Sequence, residues 1–200
     1  MNFLRIGYMS RLTFIAEAQA TIIVTIAYVI LFVVTFGALM PIQAQFFDWL
    51  PMSISLLFLP HGVRVLAVYL YGWRAILYLL PGHLVTWGYL RVFLESEQGI
   101  YSALISICAS FLAVCLVFRT WSSHSDSQLR SHWLLIIIAG AVASIGNGLG
   151  HAIWYGAQLD ATWITLMLGF FIGDVSGLFF LLLLLIAFNK AIRQHGAKSS

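Results

Sequence analysis

The stretch "LFLPHGVRVLAVYLYGWRAILYLLPGH", residues 57–83, decides how this chain is read. It is apolar enough for lipid, yet it carries Pro60 and Pro81, His61 and His83, and the arginines Arg64 and Arg74. Each is expensive in a membrane. A proline removes a backbone donor and breaks a helical hydrogen bond. An ionised side chain near the bilayer centre costs about 2.5–3.5 kcal/mol even on the gentler insertion scales. Such residues are kept where they have partners, so the stretch predicts a polar site built into a bundle of membrane helices.

Composition agrees outward from there. Of 200 residues, 62% are hydrophobic and 8% charged, whereas a soluble domain is about a quarter charged. Six segments are long and apolar enough to cross roughly 30 Å of hydrocarbon: residues 20–39, 52–72, 75–94, 100–118, 133–156 and 163–188. The longest interior loop, "RTWSSHSDSQLRSH" from Arg119 to His132, is too short and polar to bury a core of its own. The expected fold is all-α, a polytopic six-helix membrane bundle in which residues 1–200 form a single integral membrane domain.

Basic residues orient it. Arg5 and Arg11 precede the first span, Arg74 lies in the second hairpin, Arg119 and Arg130 flank the long loop, and Lys190, Arg193 and Lys198 follow the last span. All fall on one side. The opposite loops carry Asp48, Arg91 with Glu95 and Glu97, and Asp160. Both termini are therefore expected in the cytoplasm of a multi-pass membrane protein. The pI of about 9.0 reports this topology and not nucleic-acid affinity, because the basic residues are dispersed over separate loops. "AEAQA", residues 16–20, imitates a signal-peptide cleavage site, but Arg11 interrupts the preceding stretch and the apolar run begins only afterwards.

Within the spans, Pro60 is expected to kink the second helix about halfway down and to free the carbonyl of Leu56. His61 and Arg64, three apart, share a face. Pro81, Gly82 and His83 repeat the device more weakly, and "YGWRA" is short enough to force a tight helical hairpin. The fifth span places Gly140, Ser144 and Gly148 at four-residue intervals, with Asn147 and His151 on a neighbouring face. The sixth places Gly169, Gly173 and Gly177 in register, beside Asp174. Small residues at this spacing let helices approach closely in lipid, and packing is their expected role. Cys108 and Cys115, seven apart, read as buried small hydrophobes; two turns of helix separate them too far for a disulfide.

Two readings of Arg64 stand at this point. It pairs with Asp174 across the bundle, or it snorkels along its own stem to the cytoplasmic interface. Pairing would place a polar ligand pocket at His61, Arg64, Asn147, His151 and Asp174. His61 and His83 also admit a haem reading, since antiparallel helices bring them to comparable depth. The weightier reading is that each histidine satisfies a carbonyl near a helix break. No cofactor, metal or catalytic residue is expected. The only lysines lie outside the spans, so a retinal Schiff base is excluded, and there is no phosphate loop, zinc-protease motif or nucleophile elbow. "GNGLGH", residues 146–151, lies inside a span and lacks the strand that a dinucleotide loop requires. Glu95 and Glu97 read as solvated interface charges.

"FLPHGVRVLAVYLYGWRAIL" and "GFFIGDVSGLFFLL" resemble the signature helices of the membrane-associated sensor (MASE-type) domains of bacteria. The resemblance covers about half the chain and implies that Pro60, Gly62, Gly72, Arg74, Gly173, Asp174 and Gly177 occupy signature positions. It also implies a bacterial inner-membrane location and a sensing role, in a family whose members commonly precede a histidine-kinase or diguanylate-cyclase domain. His61 departs from the small residue usual at its position, and six spans depart from about eight. The expectation is a standalone, non-enzymatic sensor module that binds a small ligand and signals through a separate membrane or cytoplasmic partner. The alternatives are a substrate-binding subunit of a small-molecule transporter and, third, a membrane haem protein.

Overall fold

The computed structural model describes residues 11–47, 54–93, 100–121, 130–155 and 162–196. All secondary structure among them is helical. Helix α1 (Arg11–Val34) passes through a π-helical turn, Thr35–Leu39, into α2 (Met40–Phe46). Then come α3 (Leu59–Tyr71), a 3-10 turn at Gly72–Arg74, α4 (Ala75–Phe93), α5 (Ile100–Trp121), α6 (Arg130–Tyr155) and α7 (Trp163–Gly196). Five helical stretches are long and apolar enough to cross a membrane: Phe14–Phe46, Leu59–Phe93, Ile100–Trp121, His132–Trp154 and Trp163–Gln194. Asp48, Glu95, Glu97, Asp160, Lys198, Arg5 and most of the 119–132 loop lie outside the described residues.

The expected second span differs most from expectation. Residues 54–58 are not helical, and α3 has only 13 residues, about 20 Å at 1.5 Å per residue. Pro60 therefore kinks nothing. It sits in the first turn of α3, where its missing N–H would have had no intrahelical partner and its fixed φ suits a helix start. The signal at Pro60 was a helix boundary in the interior of the bundle and not a bend.

Irregular backbone at membrane depth survives only where protein satisfies it. Here the partners come from α2 and α7. The Gln43 amide clamps both sides of the segment, donating from Nε2 to the Ile54 carbonyl at 2.8 Å and accepting the Leu56 N–H at 2.7 Å. Ser176 Oγ donates to the Leu56 carbonyl, and the Phe58 N–H donates to the Gly173 carbonyl at 2.8 Å. The three α7 glycines make room for this. A Cβ at Gly173 would collide with the Ser55 carbonyl, one at Gly177 with the Phe58 backbone, and one at Gly169 with the Ile54 side chain. Their partner is the irregular segment, not a facing helix, as the four-residue spacing alone had suggested. The α6 small residues do meet a helix: Gly148 faces Met167 of α7, Gly140 faces Leu178, and Ser144 Oγ donates to the Phe170 carbonyl at 3.1 Å.

Direction follows from these contacts. Gly169, Gly173 and Gly177 of α7 meet Ile54, Ser55 and Phe58 in order, and Gly62 of α3 meets Leu181, so α7 runs parallel to α3. At the end of α3 the chain reverses at Gly72, whose φ of 60° is accessible to glycine without a side-chain clash. There Arg74 pairs with Glu17 of α1 at 2.9 Å, and Tyr78 donates to the same carboxylate. Tyr69, Phe118 and His132 gather at this end, while Tyr101 and Trp154 meet at the other. The core between is closed by Val65, Ala75, Leu79, Ala139, Ala143, Leu166 and Leu178, all fully buried. Large apolar side chains of α1 and α7, such as Ile23, Ile30, Ile186 and Phe188, are exposed, as lipid-facing helix surfaces are. Cys108 is also exposed and Cys115 half-buried, correcting the expectation of two buried thiols: α5 turns this face away from the bundle.

Candidate functional site

Because α3 starts deep in the bundle, His61 and Arg64 lie on its first turns, fully enclosed by other helices. Arg64 is 2% exposed and Asp174, opposite on α7, 1%. Arg64 Nη2 lies 3.5 Å from Asp174 Oδ1 and 3.2 Å from His61 Nδ1. The guanidinium does not snorkel. Its carbon also sits 5.5 Å from the centre of the Phe58 ring, within cation–π range. The second carboxylate oxygen, Asp174 Oδ2, accepts from Asn147 Nδ2 at 3.0 Å. Asn147 Oδ1 in turn accepts from Ser106 Oγ at 2.8 Å.

His61 links this chain to α6. Its Nε2 lies 3.2 Å from the Gly140 carbonyl, and a carbonyl only accepts, so Nε2 carries a hydrogen. This is not a carbonyl freed by proline, because Pro60 frees none. Its Nδ1 faces Arg64 Nη2 at 3.2 Å and Asp174 Oδ2 at 3.3 Å. As a neutral ring it accepts from the arginine; as an imidazolium it would donate to the aspartate and repel the arginine. One nitrogen cannot do both, so a proton on His61 would exchange one arrangement of the cluster for another. With both nitrogens engaged, His61 offers no free ring nitrogen to a haem iron.

His151 closes the far side. Its Nδ1 donates to the Asn147 carbonyl at 2.8 Å and its Nε2 meets Ser102 Oγ at 2.8 Å. All five residues of the expected pocket, His61, Arg64, Asn147, His151 and Asp174, thus share one connected network across α3, α6 and α7. His83 lies apart from it, stacked on Tyr28 with ring centroids 4.2 Å apart, and its Nδ1 donates to the Leu79 carbonyl at 3.1 Å.

Above this network is a partly open cavity of about 110 Å³. Arg64, Asn147, His151 and Asp174 line it, together with Tyr28 and Phe32 of α1, Phe36 of the π-helical turn, Met40 of α2, α4 from His83 to Leu90, α5 from Ser102 to Ser106, and Ile54, Ser55 and Phe58. Every helix contributes from the half away from Arg74 and Glu17, so the cavity belongs to that half of the bundle. Six aromatic side chains contribute to its walls: Tyr28, Phe32, Phe36, Phe58, Trp87 and Phe170. The π-helical turn presents Phe36 and leads into Met40, and such bulges are frequent at functional sites.

Sequence reasoning missed Ser102, Ser106, Gln43 and the aromatic wall. The serines carried a usable signal, since Ser102, Ser106 and Ser110 recur every four residues through an apolar span, with Ser110 Oγ donating back to the Ser106 carbonyl at 2.9 Å. The aromatic residues had none, being ordinary membrane-helix composition. Compared with known proteins, the chain matches no family model, no curated protein sequence and no solved structure.

Proposed function

We propose that this chain is a non-enzymatic integral membrane module that captures a small molecule in the cavity above the Arg64–Asp174 cluster and reports its occupancy to a separate partner protein. The observation that carries the reading is the joining of two features in one place. A charge-paired polar floor, drawn from three helices and almost wholly buried, lies under an aromatic-walled cavity large enough for a small molecule. Concave, mostly apolar sites with a few convergent polar groups are the usual form of small-molecule pockets. Charged residues inside a membrane bundle mark function more often than stability.

The module crosses the bacterial cytoplasmic membrane six times, with both ends in the cytoplasm. The irregular segment 54–58 leads into the 13 residues of α3, and together they complete a broken sixth crossing. The parallel course of α7 and α3, and the basic residues at the Arg74 end, support the same orientation. It places the cavity in the outer half of the membrane. The likeness of residues 58–77 and 169–182 to bacterial sensor domains favours signalling, and the work done by Gly72, Gly173 and Gly177 gives those signature positions a physical reason.

One observation favours a transporter subunit as second reading. Transporters place broken helices and unwound backbone beside midplane binding sites, and residues 54–58 are such a break. Two experiments test the proposal. In a cysteine-free background, Ser102→Cys is expected to react with a membrane-impermeant thiol reagent added from the periplasmic side; labelling only from the cytoplasmic side would refute the placement. Cross-linking in native membranes is expected to recover a kinase or cyclase, whereas an ATPase pair would decide for transport.

A further inference from the structure

Among the described residues, three buried side-chain polar atoms lack a hydrogen-bond partner: Arg64 Nε, His83 Nε2 and Trp87 Nε1. All three belong to side chains that line the cavity. A buried polar group without a partner costs about 1–3 kcal/mol, and such groups in native proteins call for an explanation such as an occupant. Their concentration around one cavity supplies that explanation.

Their chemistry specifies what the occupant must offer. Arg64 Nε and Trp87 Nε1 are donors only. His83 Nδ1 donates to the Leu79 carbonyl, so the neutral ring presents Nε2 as an acceptor. The complement is a molecule with a carbonyl-type acceptor and an N–H or O–H donor. Charge is already balanced beneath it, because Arg64 faces Asp174 and the remaining titratable groups of the wall, Tyr28, His83 and His151, add no fixed charge as neutral groups. A charged occupant would bring an uncompensated ion into a low-dielectric site. Size follows from volume. One water-sized group needs about 10–15 Å³ measured this way, so 110 Å³ holds roughly seven to eleven such groups. That is one six-membered ring with short substituents, and the aromatic walls suit a flat ring.

We infer that the cavity selects an uncharged, single-ring molecule carrying a carbonyl acceptor and a hydroxyl or amide donor. This rests on the reading of the cavity as a ligand site. The test compares three probes of similar size, 4-hydroxybenzamide, 4-hydroxybenzoate and 4-hydroxybenzylammonium, by calorimetry on the full chain in nanodiscs with empty nanodiscs subtracted. The amide is expected to bind at least about tenfold more tightly than either charged probe. Trp87→Phe keeps the aromatic wall and removes the donor, and is expected to weaken the amide about fivefold, the equivalent of one net hydrogen bond. His83→Phe, which keeps a ring against Tyr28, is expected to do the same. Thermal unfolding of both variants confirms that they fold. Ala103→Phe, which fills the cavity, is expected to abolish binding. Tighter binding of the carboxylate or the ammonium, lost in Ala103→Phe, would overturn the uncharged class while leaving the ligand site standing. Amide binding unchanged in Trp87→Phe and His83→Phe would overturn the assigned partners. Binding that survives Ala103→Phe, or no binding of any probe, would overturn both the class and the site.

Discussion

Neutralising one partner of the Arg64–Asp174 pair gives the most informative perturbation of the fold. At 3.5 Å and an effective dielectric constant of about 20, two unit charges attract by about 5 kcal/mol. Desolvation offsets much of this in the intact pair, so the pair itself adds little, but stranding one ion costs about 3–5 kcal/mol. Asp174→Asn strands a guanidinium, which stays charged, and it also removes the carboxylate that Asn147 and His61 face. Arg64→Gln leaves a carboxylate still held by Asn147 Nδ2. The aspartate change is therefore expected at the upper end of that range and the arginine change at the lower. The double variant leaves no unpaired charge and should cost less than the sum by about 2–3 kcal/mol, within the range of coupling seen for contacting residues. Equilibrium unfolding of the four proteins in mixed micelles measures this cycle. Additivity within about 0.5 kcal/mol would refute the pairing.

The remaining predictions concern packing and the rim. Gly177→Ala places a methyl against the Phe58 and Leu59 backbone and is expected to lower stability by about 1–3 kcal/mol; Gly88→Ala, with nothing within 4 Å, is expected to be neutral or stabilising by up to about 1 kcal/mol, so equal thermal midpoints for the two would contradict the cradle. Ser176→Ala leaves the Leu56 carbonyl without its hydroxyl donor and is expected to cost about 1–3 kcal/mol by the same assay; no loss would mean that the irregular segment is not held there. Glu17→Gln breaks the Arg74 contact at the bundle end, where Arg74 is 50% exposed, and is expected to cost under about 1 kcal/mol; a loss as large as that of Asp174→Asn would contradict the contrast between rim and interior. In labelling with a lipid-soluble maleimide, exposed Cys108 is expected to react faster than half-buried Cys115.

The membrane bundle was legible because hydropathy reports directly on solvent, and most helix limits fell within a few residues of the expected spans. The polar site was legible for the same reason. Arg64, Asp174, Asn147 and His151 stand out in apolar helices, and a buried charge needs a partner, so few arrangements remain. Residues 54–58 were not legible. An apolar run has the same composition whether it is helical or extended, and Pro60 is compatible with a kink or with a first turn. Only the tertiary partners, Gln43 and Ser176 and the α7 glycines, decide for the turn. The glycine spacing likewise announced a close approach without naming what approaches. The π-helical turn at Thr35–Leu39 left no mark that periodicity could detect, since one extra residue per turn hardly alters an all-apolar pattern.

Native mass spectrometry of the protein released from nanodiscs tests the central claim most directly, because it weighs whatever the cavity holds. After incubation with 4-hydroxybenzamide, the wild-type chain is expected to carry one probe molecule and Ala103→Phe none. Equal adducts on the two proteins, or a wild-type chain left unliganded by the amide, the benzoate and the benzylammonium alike at saturation, would contradict a ligand site above Arg64 and Asp174.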